Sequence, residues 1–593
     1  MCGFTGMTHP DSECLRRMNA RLAHRGPDDS GYFQDDHVGL AHCRLAILDL
    51  SEKGHQPMAF RHFTIAYNGE IYNFRELRGQ LEERGYAFDS DCDTEVLLKA
   101  YAEWGSACLS RLNGMFAFAI YDSKKREIFL ARDRLGIKPL YLARRGKAWL
   151  FASELKAIVP EIDHRSLDRR ALVDYLTFRF VPDNATLIEG VERLEPGHCM
   201  RIDAASGEAA RERWWRLEYG DNGRSLQENA EGVLDLLRQS VRRRLISDVP
   251  LGAYLSGGLD SSALVALMAE TSERPVHTFT VSFGNDNLSE AAEGRFVAEH
   301  FGTDHQEIPV EMDAVSILPE LIYHLDTPIG DAATIPVYLM ARATKQHATV
   351  VLSGEGSDEC FAGYYKYKPL LWGRKLPPMP RLFKRGWPGR INALLDANRA
   401  RGYLAYAAVF SNSEMEGLLD FLPNWQERFS PDAFFTTGKV LHDYLNLDVH
   451  TWLPNDLLLK GDTMTMAHAV EARVPFLDHQ LVEFAAAIPP EQKMDGRLDK
   501  IVFRHAARAI LPERILQRKK QGFTIPLARW MDQGLGDFAR DLFASVHIPE
   551  LRTQALEPIV DEACRNVYTR RRFWTTLFLA AWYREVLLGK GGR

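Results

Sequence analysis

The chain has 593 residues, enough for more than one domain at roughly 100–200 residues each. It is 46% hydrophobic and 26% charged, with 73 basic and 80 acidic residues and a formal net charge of -7. Such an ordinary, mildly acidic composition supports at least two cores and argues against nucleic acid or an anionic membrane as a partner.

Eight cysteines are scattered along the chain, from Cys2 to Cys564, and none forms a CxxC pair. That spacing fits neither a disulfide scaffold nor a zinc site and points to a reducing compartment. The N-terminus Met-Cys-Gly-Phe-Thr-Gly does not read as a signal peptide. No run reaches the roughly 20 apolar residues of a membrane span. The apolar stretch Phe573–Leu588 is broken by Arg584 and Glu585 and reads as a packed terminal helix. A cytoplasmic location is expected.

In chain order, Phe63–Tyr67, Met115–Tyr121, Ile128–Arg132 and Trp149–Ala152 read as strands. Helical patterns fall near Arg75–Arg84 and Thr94–Trp104. Strands with few helices predict an antiparallel α+β domain over residues 2–205. The polar, glycine-containing stretch 206–227 is expected to be a linker. From 228 onward the rhythm changes. Strands Ala253–Leu255, Thr278–Phe283 and Thr349–Leu352 alternate with helices Ser262–Ala269, Glu290–His300 and Pro336–Gln346. That alternation predicts a parallel α/β sheet with its ligands at the carboxyl ends of the strands. Beyond about residue 365 the pattern is helical.

Two clusters carry chemistry. Removal of Met1 would expose the α-amine of Cys2, a base suited to its own thiol. Asn68-Gly69 sets an amide beside an unhindered N–H, as an oxyanion hole needs, although the same pair also reads as a hairpin turn. Arg44 suits a carboxylate, and Glu70 and Asp93 suit an ammonium group. In the second half, Ser256-Gly257-Gly258-Leu259-Asp260-Ser261-Ser262 joins a strand to a helix N-terminus, a phosphate-binding arrangement that lacks the Walker pattern. Ser353-Gly354-Glu355-Gly356-Ser357-Asp358 follows another strand. Asp260 and Asp358 beside phosphates imply a cation between them, and hard oxygen ligands with a triphosphate imply Mg²⁺.

With Cys2-Gly3 and His24-Arg25-Gly26-Pro27-Asp28, the first half resembles the class II glutamine amidotransferases. The second half resembles the PP-loop ATP pyrophosphatases, and the whole chain is similar to the asparagine synthetase B family. The resemblance implies an N-terminal nucleophile hydrolase domain of stacked antiparallel sheets between helices. A parallel-sheet adenylating domain with a helical C-terminal part would follow it. It implies that Cys2 attacks glutamine, that Asn68 and Gly69 hold the oxyanion, and that Arg44, Glu70 and Asp93 hold the amino-acid end. It further implies ATP contacts at Leu255, Val281, Ser353 and Gly354 besides the loop residues Ser256, Gly257, Gly258, Asp260 and Ser261. Metal would sit at Asp260 and Asp358, Glu355 would serve acyl-adenylate formation, and Lys500 would offset charge on the phosphate. Arg473-Val474-Pro475-Phe476-Leu477-Asp478 is expected to act structurally at the domain interface.

The implied substrates are glutamine, ATP and an acceptor carboxylate, with ammonia passing between two sites in a chain that could pair as a homodimer. Aspartate is the expected acceptor. Where the family pattern reads Lys-x-Asp-Arg-x-x-Met, this chain has Lys460-Gly461-Asp462-Thr463-Met464-Thr465-Met466, so Thr463 replaces a basic residue. That departure, and the Pro- and Trp-rich stretch 375–399, leave a sugar uronate or a natural-product precursor as the alternative. A β-lactam synthetase-like enzyme would need no glutaminase site, and a scaffold protein would have broken motifs. Both rank lower.

Overall fold

The computed structural model describes residues 2–282, 291–309, 314–372, 399–518 and 527–589. The stretch 375–399 lies outside them except for Arg399, which begins helix Arg399–Ala407.

The first half is built on twelve strands: β1 (Gly3–Thr8), β2 (Asp29–Gln34), β3 (Val38–Arg44), β4 (Met58–Phe60), β5 (Phe63–Ile71), β6 (Gly114–Asp122), β7 (Glu127–Arg132), β8 (Tyr141–Arg145), β9 (Ala148–Ala152), β10 (Val191–Arg193), β11 (His198–Asp203) and β12 (Ala209–Arg213). They form two six-stranded sheets, ordered β10-β8-β9-β1-β3-β2 and β12-β11-β7-β6-β5-β4. Their pairings are antiparallel, as in β1 with β3 and β5 with β6. Strand β6 shows why two sheets stack. Its period of two sends Ala117, Ala119 and Tyr121 into a core shared with Phe4, Leu40 and Phe151 of the other sheet. Phe116, Phe118 and Ile120 take the opposite face, in the cluster that includes residues of helix Asp93–Trp104. Both faces of β6 are therefore apolar, and helices close the outer side.

Two features differ from expectation. Strand β5 does not stop at Tyr67. It runs to Ile71, with Asn68 opposite Ala117 and Gly69 opposite Phe116, so Asn68-Gly69 is no hairpin turn. The stretch 206–227 is not all loop, because Ala209–Arg213 pairs with β11 as edge strand β12.

The second half carries β13 (Leu251–Tyr254), β14 (His277–Ser282), β15 (Asp304–Pro309), β16 (Val350–Leu352) and β17 (Glu471–Arg473). Their order is β15-β14-β13-β16-β17, with every pair parallel. Strand β17 lies where only helices were expected. Three residues with two charges give no apolar signal, and the pairing of Glu471, Ala472 and Arg473 with β16 alone makes them a strand. Helix Val567–Trp582 is packed as expected, with Phe573, Leu577, Phe578 and Trp582 fully buried. No helix among the described residues is long and apolar enough to cross a membrane.

The halves share their core. Ile65 and Phe116 of the first belong to the same buried cluster as Val233, Leu264 and Phe476 of the second. Polar contacts cross as well. Arg473, with no exposed surface, holds Glu471 Oε1 at 2.5 Å and donates to the carbonyls of Arg244 (2.8 Å) and Ile246 (2.6 Å). It also lies 3.5 Å from Glu70 Oε1 of the first half. Replacing Arg473 with Met leaves the buried Glu471 carboxylate without its guanidinium, a loss of roughly 3–5 kcal/mol. The thermal unfolding midpoint of Arg473→Met at neutral pH is expected to fall by several degrees, and an unchanged midpoint would show that the bridge contributes nothing.

Candidate active sites

Cys2 enters β1 directly and is 9% exposed. While Met1 is attached its nitrogen is an amide. This N–H donates to Asn68 Oδ1 (3.3 Å), and Sγ lies 3.9 Å from the Leu45 carbonyl oxygen. Burial pushes the thiol above its ordinary pKa, and the Leu45 contact and Arg44 work against this.

Because Oδ1 of Asn68 faces the Cys2 nitrogen, its Nδ2 points elsewhere, and this fully buried donor has no hydrogen-bond partner. Buried donors are nearly always satisfied, so an open one on the residue that holds the Cys2 backbone N–H could receive an oxyanion. Gly69 is obligatory here. Its φ is +156°, and a Cβ would lie 2.1 Å from the Met115 carbonyl oxygen.

Cys2, Arg44, Gly69, Glu70 and Asp93 line one pocket. The Arg44 guanidinium donates to the Ser51 carbonyl (2.8 Å) and to those of Leu48 and Asp49, which folds the loop after β3 over the pocket. Asp93 opens helix Asp93–Trp104 and accepts from Tyr67 Oη (2.7 Å) and the Ile71 N–H (2.8 Å). Burial raises its pKa to about 6 despite those bonds. Burial, and then Glu471, push Glu70 well above the carboxylate range, while Arg473 opposes them.

At the second site, Ser256-Gly257-Gly258 follows β13, and helix Leu259–Thr271 aims its N-terminus at the loop. Gly257 has φ +64°, and a Cβ would lie 2.6 Å from the Glu293 carbonyl carbon. Ser256 and Ser261 hydroxyls meet at 3.0 Å. Leu255 and Val281 are buried at the carboxyl ends of β13 and β14. Ser353 follows β16 and donates its N–H to the Arg473 carbonyl (2.9 Å). The two loops touch: a Cβ on Gly354 would lie 3.3 Å from that of Asp260.

Between the loops sits Lys500. Its ammonium lies 2.7 Å from both oxygens of Asp260, 2.6 Å from Asp358 Oδ1 and 3.0 Å from Ser357 Oγ. Burial works to lower the Lys500 pKa, and the two carboxylates outweigh it and hold it raised. Asp260 and Asp358 thus converge on one point, as two ligands of a phosphate-bound Mg²⁺ must. Among the described residues no cluster of three or more His, Cys, Asp or Glu forms a separate metal cage.

Glu355 is half-buried, desolvation raises its pKa, and its Oε2 has no hydrogen-bond partner. It faces a cavity between the halves, shared with Ile137 and Lys138 of the first and Gly461, Asp462 and Thr465 of the second. Thr463 does not line this cavity. It is fully buried, and its hydroxyl donates to the Leu459 carbonyl (2.8 Å) within its own helix. Lys460 is engaged by Asp331 (2.6 Å) and Asp456 (3.2 Å).

Sequence reasoning gave no role to Arg25, Lys138, Glu154 or Asp462. Arg25, without exposed surface, donates to the Cys2 carbonyl (3.0 Å), Glu154 Oε1 (2.7 Å) and Asp462 Oδ2 (2.8 Å). Lys138 holds the other Asp462 oxygen at 3.0 Å. The available signals were the place of Arg25 in the His-Arg-Gly-Pro-Asp string and of Asp462 in the Lys-x-Asp-Arg-x-x-Met pattern.

The glutamine amidotransferase domain family matches residues 1–215, and the asparagine synthase family matches residues 232–584. Glutamine-hydrolysing asparagine synthetase 1 of Bacillus subtilis is 34% identical over 617 aligned positions, covering 98% of this chain and 96% of the relative. Glutamine-hydrolysing asparagine synthetase 3 of the same organism is 34% identical, covering 88% and 87%. A protein of Gibberella zeae named amidase chry2 is 30% identical, covering 93% of each. The chain belongs to the glutamine-hydrolysing asparagine synthetase family of carbon–nitrogen ligases, its N-terminal part matching the glutamine amidotransferase domain family.

Proposed function

We propose that this chain hydrolyses glutamine at Cys2 and uses the ammonia to amidate L-aspartate through an acyl-adenylate, releasing AMP and pyrophosphate. The observation that carries this reading is a buried Cys2 whose backbone N–H is held by Asn68 while the Asn68 Nδ2 stays unpartnered, joined in one chain to two phosphate-type loops closed around Lys500.

After Met1 is removed, the α-amine takes the Cys2 proton, and the thiolate attacks the side-chain carbonyl carbon of glutamine. Asn68 Nδ2 and the Gly69 N–H receive the oxyanion. The C–N bond breaks, ammonia departs with the proton, and water cleaves the thioester to glutamate. Arg44 takes the α-carboxylate of glutamine, and Asp93 with Glu70 its ammonium. In the second site the aspartate side-chain carboxylate attacks the α-phosphorus of ATP and expels pyrophosphate. Ammonia then attacks the activated carbonyl and AMP leaves. Ser256, Gly257, Gly258, Ser261, Ser353 and Gly354 cradle the phosphates, with Leu255 and Val281 against the nucleoside. Lys500 offsets the charge that develops on phosphorus. Asp260 and Asp358 would hold Mg²⁺, which supplies further charge neutralisation on the phosphates. Glu355, with its open Oε2, serves the adenylate step.

A second reading, amidation of another carboxylate, is favoured by one feature: Thr463 stands where the family pattern has a basic group. The substitution leaves Lys460, already engaged by two carboxylates, as the cation of this helix segment.

Purified protein given glutamine, ATP, Mg²⁺ and aspartate is expected to form asparagine and pyrophosphate together. Cys2→Ala is expected to keep only ammonia-driven synthesis. Glutamate formation without aspartate-dependent pyrophosphate would reject aspartate as acceptor and leave the second reading.

A pH dependence follows from Asp93. Its pKa is raised to about 6, so it loses its charge as pH falls through that value, while the α-ammonium of glutamine stays charged. The glutaminase KM is expected to be flat from about pH 7 to 8 and to rise below about pH 6. Asp93→Asn should have a high KM without this rise, and a wild-type KM flat down to pH 5 would remove Asp93 from ammonium binding.

A further inference from the structure

Arg25 gives Asp462 a path to the thiol in the other half. A guanidinium is planar, so its donors turn together. In Arg25 the Nε edge is fixed on the Cys2 carbonyl, one terminal nitrogen on Glu154 and the other on Asp462. The fit beneath it is tight. A Cβ on Gly3 would lie 3.2 Å from Arg25 Cδ, and one on Gly26 2.3 Å from the Cys43 carbonyl oxygen. Asp462 sits on helix Leu458–Met466, with its second oxygen fixed by Lys138. Both Arg25 and Asp462 are buried, so water cannot replace either partner. No other residue of the second half is bonded to Arg25 among the described contacts.

We propose that Asp462 is a positioning residue for glutamine hydrolysis: acting through Arg25, it holds the Cys2 carbonyl and so aims the Cys2 thiol at the amide. The inference rests on Cys2 being the nucleophile. It places a requirement for the glutaminase inside the synthetase half. The same helix borders the Glu355 cavity through Gly461, Asp462 and Thr465, so the residue that sets the thiol also faces the site where ammonia is used.

The test is hydrolysis of glutamine by the full chain without ATP or acceptor. Asp462→Asn keeps the shape and removes the charge. Its kcat is expected to fall about tenfold or more while KM stays within about threefold, since Arg44 and Asp93 are untouched. Arg25→Lys keeps the charge but loses the fixed fork, and should show the same split. The double variant should lose no more than the worse single one, because both changes break one chain of contacts. If Asp462→Asn does not fold, Asp462→Glu, which keeps the charge and shifts it by one methylene, should still lower kcat with an unchanged thermal midpoint. Wild-type kcat in a folded Asp462 variant, a change confined to KM, or additive losses in the double variant would overturn the inference. If wild-type protein hydrolyses no glutamine, or Cys2→Ala still does, the functional reading itself fails, and the inference falls with it.

Discussion

Arg25 has no exposed surface, and a guanidinium in that position must find carboxylates or carbonyls for its donors. It finds them in three distant parts of the chain: the Cys2 carbonyl, Glu154 after β9, and Asp462 in the second half. Lys138 and Lys156 extend the same network, pairing with Asp462 (3.0 Å) and Glu154 (2.5 Å). Backbone N–H groups at Leu155 and Lys156 reach Asp326, whose carbonyl accepts from Trp582 Nε1 (2.8 Å). Charges buried in this way contribute little net stability, but removing any one leaves its partners exposed to a large penalty. The two halves are therefore held in one register, and both sites depend on it.

That register joins two sheet types with different chemical uses. An antiparallel sheet can present a residue at the end of a central strand, as the start of β1 presents Cys2 against Asn68 of β5. A parallel sheet gathers loops at the carboxyl ends of its strands, as β13 and β16 gather Asp260 and Asp358 around Lys500. Arg473 belongs to both arrangements. It ends β17 of the parallel sheet, yet its guanidinium reaches Glu70 in the Cys2 pocket. The electrostatics of the thiol site are not complete without a residue from the other half.

Much of this was legible in the sequence. The change of rhythm near residue 228 marked the change of sheet type, and each candidate of the thiol site except Asn68 lines one pocket, with Asn68 bonded to Cys2. The extent of β5 was not legible, because Asn-Gly has the composition of a hairpin turn and only the closeness of β6 keeps it extended. Strand β17 was hidden because three residues with two charges become a strand only beside β16. Asp462 was beyond reach for a different reason. It meets Arg25 across 437 positions of sequence, and nothing local in either segment announces the other. The clamping of Lys460 between Asp331 and Asp456 is likewise a property of packing alone.

The central claim is that nitrogen released at Cys2 is consumed in the second half of the same chain. It is tested most directly by supplying glutamine labelled with ¹⁵N in its amide, together with ATP, Mg²⁺, aspartate and an excess of unlabelled ammonium, and measuring the isotope in the product amide. The account predicts asparagine that carries mainly ¹⁵N whatever the external ammonium concentration. Asparagine diluted in proportion to the added ammonium would contradict it, and would show two active sites that share a chain but not their ammonia.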